Sequence, residues 1–154
     1  ALHTEDWRQI DYLLFILQPF FKYTTVVCRT KDISIHLVFS FYNRLFDHLE
    51  NSIRQLRRKK VPWKQLMLSS LKAAQEKLSK YYAMTDSIEG DLYAIGTILA
   101  PANKLQFFST KDWESDDPEK DYKRIYRESL ESFFTSYYEK RPEGRLQNRT
   151  QNCQ

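Results

Sequence analysis

The chain has 154 residues, 42% hydrophobic and 15% aromatic, with a net charge of +4, which suits one globular domain large enough to bury a core. Only 3 glycines occur, which argues against a sheet protein with many tight turns, and no apolar run approaches the ~20 residues that span a bilayer. Of the 24 basic and 20 acidic residues, four and one lie from Lys140 onward, so the charge excess belongs to the tail and gives no global case for nucleic-acid binding.

The elements follow from periodicity. A first helix is expected from about Thr4 to Arg29, with Thr4 as cap and Glu5 and Asp6 at its positive end. Its apolar stripe is Trp7, Ile10, Leu14, Leu17 and Phe21, widened by Leu13, Ile16 and Phe20, with a bend at Pro19. A second helix is expected from Ile35 to Lys59, with Val38, Tyr42, Leu45, Leu49 and Leu56 as its seam, interrupted near Ser52 and resumed by Ile53. Val61-Pro62 stops it. A third helix runs from Trp63 to Met84, the polar stretch Thr85 to Gly90 connects, and a short, nearly all-apolar helix from Asp91 to Ala100 reads as a buried central element ended by Pro101. The fifth helix is expected from Pro118 to Lys140, with Asp117 as cap.

The fold expected is therefore all-α, an antiparallel bundle of about five helices around a short buried one, over residues 1–140. Residues 141–154 read as a disordered polar tail. Cys28 and Cys153 stand at opposite ends, which is no disulfide framework and fits a reducing compartment. Ala1 in place of an initiator Met suggests a piece of something longer.

Chemistry is sparse. His3, His36 and His48 lie at no ligand spacing from one another or from Cys28, and no metal site is expected. No G-x-S-x-G, P-loop or G-x-G-x-x-G motif occurs, so the chain alone is not expected to be an enzyme. The acidic cluster Asp112, Glu114, Asp116, Asp117, Glu119 and Asp121 fits a magnesium site or the capping of the fifth helix; capping is preferred, since hard-cation sites draw carboxylates from separate elements. The run Arg54, Arg57, Arg58, Lys59 and Lys60 fits either a DNA-contact patch or complementation of the second helix's dipole, and the dipole reading is preferred. The pairs Tyr81-Tyr82, Phe107-Phe108 and Tyr137-Tyr138 could stack bases, but adjacent helical residues point about 100° apart, so core packing is the preferred use.

Leu99-Ala100-Pro101, Lys104 and Phe107-Phe108, followed by Trp113, resemble the L-D/H-P-x-x-K-x-x-Y-F … W segment of hAT-family DNA transposases. Asp6-Trp7 with Leu17 to Phe20, then Leu45 to Glu50, then Leu78 to Tyr82 are similar, in order, to other segments of fungal members. Trp7, Pro19, Tyr81, Leu99, Pro101, Lys104, Phe108 and Trp113 are the structural positions this resemblance marks. It implies a ribonuclease H-like core using divalent metal, most plainly magnesium, with this chain part of a helical insertion that holds no catalytic residue and no cofactor of its own. The partners it implies are the rest of the transposase, DNA and a second copy, in the nucleus and away from membranes. Ala100 and Ala102-Asn103 depart from the pattern and suggest, as an alternative, a domesticated transposase-derived protein-interaction module.

Overall fold

The computed structural model describes residues 2–29, 33–115 and 117–139. The side chains of Asp86 and Tyr138 and the expected tail lie outside the described residues. All regular structure among the described residues is helical, so the all-α expectation holds. The chain divides into two compact units, Ala1–Lys104 and Leu105–Gln154.

The first unit contains α1 (Thr4–Val27), a 3-10 turn (Ile35–Leu37), α2 (Val38–Arg58) and α3 (Lys64–Leu99). α2 packs against both α1 and α3. Its sequence explains why: Leu45, Leu49, Ile53 and Leu56 fall at helical spacing on one face and are all buried, with Leu49 and Leu56 fully inaccessible. Burying each such side chain stabilises the fold by roughly 1.5–3 kcal/mol. From α3, Met67, Leu71 and Leu78 meet this stripe, and from α1, Tyr12 and Ile16. A second contact zone joins the start of α2 to the second half of α3. There Phe39 is fully buried, with its ring 6.4 Å from Tyr82 and 6.3 Å from Tyr93 in edge geometry.

α1 departs from expectation in which face it buries. Of the expected stripe, Ile16 faces the core with Phe20 packed beside it, but Trp7, Leu13, Leu14, Leu17 and Phe21 are exposed, and Tyr12 and Tyr23 take their place. The helix is apolar around most of its circumference, so periodicity alone could not choose between two stripes. Its start is close to expectation: His3 is the N-cap, and the Asp6 carboxylate accepts from the His3 backbone N–H at 2.8 Å. The helix runs through Pro19 to Val27.

The two helices expected between Trp63 and Ala100 are one, the 36-residue α3. Thr85 to Gly90 reads as a connection because it is polar and ends in glycine. A helical glycine costs only about 1 kcal/mol relative to alanine, which tertiary contacts outweigh. Here Gly90 is buried and the Tyr42 hydroxyl lies 3.2 Å from the Thr85 hydroxyl. The expected short central helix is thus the end of α3, burying Ala94, Ile95 and Thr97 but leaving Leu92 and Leu99 exposed. Gly96 faces Ile35, whose Cγ2 stands 2.8 Å from where a Cβ would sit. After Pro101, the N–H of Lys104 donates to the Ala100 carbonyl at 3.1 Å, and Lys104 takes a left-handed backbone with φ 52°.

The second unit is built on aromatic contact. It contains 3-10 turns at Leu105–Ser109, Lys111–Trp113 and Pro118–Lys120, then α4 (Tyr122–Glu139). Among its described residues Phe108, Trp113 and Tyr126 are buried, with the Phe108 ring 4.8 Å from both others. Asp117 accepts from the Glu119 N–H at 3.0 Å and Asp121 from the Arg124 N–H at 3.1 Å. Carboxylates of the acidic cluster therefore serve as caps. The expected fifth helix is split: Pro118–Lys120 forms a 3-10 turn, and the α-helix begins at Tyr122.

Candidate nucleic-acid interface

The basic run gathers where α2 ends and α3 begins. Arg54, Arg57, Arg58, Lys59 and Lys60 are all exposed. Arg54 and Arg58, four residues apart, share the side of α2 opposite the Leu49–Leu56 stripe. Lys59 is the C-cap and has extended backbone, which turns the chain out of the helix before Val61-Pro62. Lys64 comes back from the first turn of α3 and donates its ammonium to the Arg57 carbonyl at 2.7 Å, satisfying one of the open carbonyls of α2.

From Asn51 to Lys64 there are six cationic residues, Arg54, Arg57, Arg58, Lys59, Lys60 and Lys64, and no carboxylate. Complementing the dipole needs cations only in the last turn. Lys64 already caps there, Arg54 lies before that turn and Lys60 beyond the helix. The charge at this corner thus exceeds what α2 needs for its own stability, and it is of the type that binds phosphate by releasing counterions.

One edge of the corner is anchored to the core. The Lys59 ammonium stands 5.0 Å from the centroid of the Tyr12 ring. Tyr12 in turn packs 5.4 Å from Trp63 and donates its hydroxyl to the Ser52 carbonyl at 3.3 Å. Burial pushes the Tyr12 hydroxyl above its ordinary value of 10.0 by disfavouring the phenolate. Beside it lies an open cleft of about 490 Å³, lined among others by Arg8, Asp11, Gln55, Lys59 and Trp63. Asp11 makes that cleft less hospitable to an anion than the outer arginines.

The remaining marked residues are dispersed. Trp7, Tyr81 and Leu99 are exposed, while Phe108 and Trp113 are buried in the second unit. Pro19 is half-buried in α1, and Pro101 and Lys104 build the turn after α3. The His48 ring nitrogen Nε2 lies 3.2 Å from the Ile16 carbonyl, a structural contact. Among the described residues no three His, Cys, Asp or Glu side chains converge as a metal site would require. No described helix is long and apolar enough to cross a membrane.

Sequence reasoning missed two features. One is an apolar groove of about 340 Å³ between α1, α2 and α3, lined by Phe20, Tyr23, Val27, Phe41 and Tyr93 among others. The Tyr23 and Phe41 rings stack there at 4.6 Å. The other is the outward apolar face of α1. The width of the α1 stripe was the signal for both, since it exceeds what one contact with α2 can cover.

The chain aligns over 147 residues, at 48% identity, with a protein of Talaromyces stipitatus provisionally named transcriptional regulator tpeD. The match covers 96% of this chain and 14% of that protein, so the chain spans about a seventh of the relative's length. No family model matches the chain, and no solved structure does. The relative is described as a transcriptional regulator and not as a transposase, which overturns the hAT reading. The ribonuclease H-like core, the transposition role and the domesticated-transposase alternative go with it. The motifs misled because each is short and consists of residues any helical domain uses to stop a helix or fill a core, as Pro101 and Phe108 do here.

Proposed function

We propose that this chain is a helical module of a transcription-regulatory protein and that the corner formed by Arg54, Arg57, Arg58, Lys59 and Lys60 holds nucleic-acid phosphates. The observation that carries the reading is charge: between Asn51 and Lys64 stand six cations and no carboxylate, and five of them, all but the capping Lys64, are exposed. The similarity to a protein described as a transcriptional regulator supports the same direction. A nuclear location is part of the proposal.

Contacts of this kind position a protein on the duplex and carry no base information. The module would therefore add affinity to a larger protein whose sequence reading lies elsewhere. The test is a binding titration of the whole chain with duplex DNA at low salt. Changing Arg54, Arg57, Arg58 and Lys60 together to Gln is expected to weaken binding by about 100-fold or more, with helicity unchanged because all four are exposed. Wild-type protein that fails to bind duplex at low salt, or a variant that binds as well, contradicts the reading.

A further inference from the structure

α1 shows two apolar faces. On the inner one Tyr12 and Ile16 are buried in the core with the α2 stripe, and Phe20 and Tyr23 are partly buried beside them. The outer one carries Trp7, Leu13, Leu14, Leu17 and Phe21, with Leu14 61% and Phe21 77% exposed. Trp7, Leu14, Leu17 and Phe21 fall within one side of the helix at about 100° per residue, and Leu13 widens it. They leave roughly 500 Å² of apolar surface open, about 1,000 Å² across a symmetric pair, where specific interfaces begin.

The charges along α1 indicate what covers this face. Up to Phe15 the helix holds Glu5, Asp6 and Asp11 against Arg8 alone; from Ile16 to Val27 its only charge is Lys22. The helix is thus acidic in its first half and basic in its second. A parallel pairing would set acid on acid. An antiparallel pairing sets each acidic half on a basic half and opposes the helix dipoles favourably. Asp11 and Lys22 lie about three turns apart on the same edge of the outer face. A two-fold axis near Leu17 brings Asp11 of one copy beside Lys22 of the other. This is the self-complementarity that an isologous contact requires.

We propose that the outer face of α1 is a homodimer interface, packing antiparallel on the same face of a second copy of this chain. Its centre is Leu14 and Leu17, and its edges are fixed by Asp11 and Lys22. The idea is independent of the DNA reading, since it uses neither the α2 corner nor its charges.

The test is sedimentation equilibrium of the whole chain in reducing buffer, because Cys28 is free and exposed and would otherwise add a disulfide. The expected mass is twice the monomer's 18.6 kDa at concentrations of about 50 μM. Leu14→Glu with Leu17→Glu is expected to give a monomer with unchanged helical circular dichroism, since both side chains are exposed in the monomer. Asp11→Lys and Lys22→Asp each weaken association by about 3-fold or more at low salt, and the double exchange restores it. Wild-type protein that stays monomeric at about 100 μM overturns the proposal and leaves the face to a different partner. A dimer indifferent to the two leucine changes overturns it as well. A dimer that the double exchange fails to restore overturns the antiparallel arrangement.

Discussion

The Lys59 ammonium lies over the ring of Tyr12, 5.0 Å from its centroid, so the basic end of α2 is tied directly to the buried face of α1. The contact joins a residue that faces solvent to one that holds two helices together. It also fixes one member of the charged corner, Lys59, relative to the core, which limits how far that corner can splay.

Tyr12 gives the unit an alkaline weakness. Burial raises its folded-state pKa above 10.0. The unfolded chain therefore loses this proton first, so the contribution is intact below about pH 10 and is lost as pH rises through the folded-state pKa. Urea unfolding at about pH 8 and about pH 11 should show stability falling, with Tyr12→Phe showing a smaller fall. At neutral pH the same change should cost about 0.5–1.5 kcal/mol for the bond to Ser52. An equal alkaline fall in the variant would assign the effect to other groups.

Leu49 is fully buried at the centre of the α2 stripe, within reach of both α1 and α3. Leu49→Ala should lower stability by about 2–5 kcal/mol through lost burial and the cavity left behind. Thermal unfolding followed by circular dichroism checks this. A loss near zero would mean that α1 and α3 collapse around the site, contrary to a packed core.

Gly96→Ala opposes two effects of known sign. Helix propensity favours alanine by about 1 kcal/mol, while overpacking costs about 1–3 kcal/mol. The new methyl would meet Ile35 Cγ2 at 2.8 Å, and that atom belongs to a β-branched, stiff side chain. A net loss of about 1 kcal/mol is expected. Pairing it with Ile35→Ala, which opens the space, should recover most of the helix gain, and a double-mutant cycle measures the coupling.

How much could be read from the sequence varied from helix to helix. α2 was legible because its apolar residues fall on one face and its charges elsewhere: Leu45, Leu49, Ile53 and Leu56 were all expected inside and are. α1 was not, because Trp7, Leu14 and Phe21 make as good a stripe as Tyr12, Ile16 and Tyr23, and only the position of α2 decides between them. The continuity of α3 was hidden by Gly90 and its polar neighbours, a local signal overridden by burial. The basic corner was visible as a run of letters, but its link to Tyr12 across the fold and the capping role of Lys64 needed three dimensions. Function was least legible: Pro101, Phe108 and Trp113 serve a turn and an aromatic core, and those physical demands are shared by unrelated helical proteins.

The most direct test of the proposed role is the salt dependence of duplex DNA binding by the whole chain. With about four to six phosphates neutralised at the α2 corner, log affinity should fall against log salt with a slope of about −4 to −5. Changing Arg57 and Arg58 to Ala should flatten that slope by about 2 while leaving the helical signal unchanged. A slope that is the same in the variant, or binding insensitive to salt, would contradict a phosphate-binding corner at the end of α2.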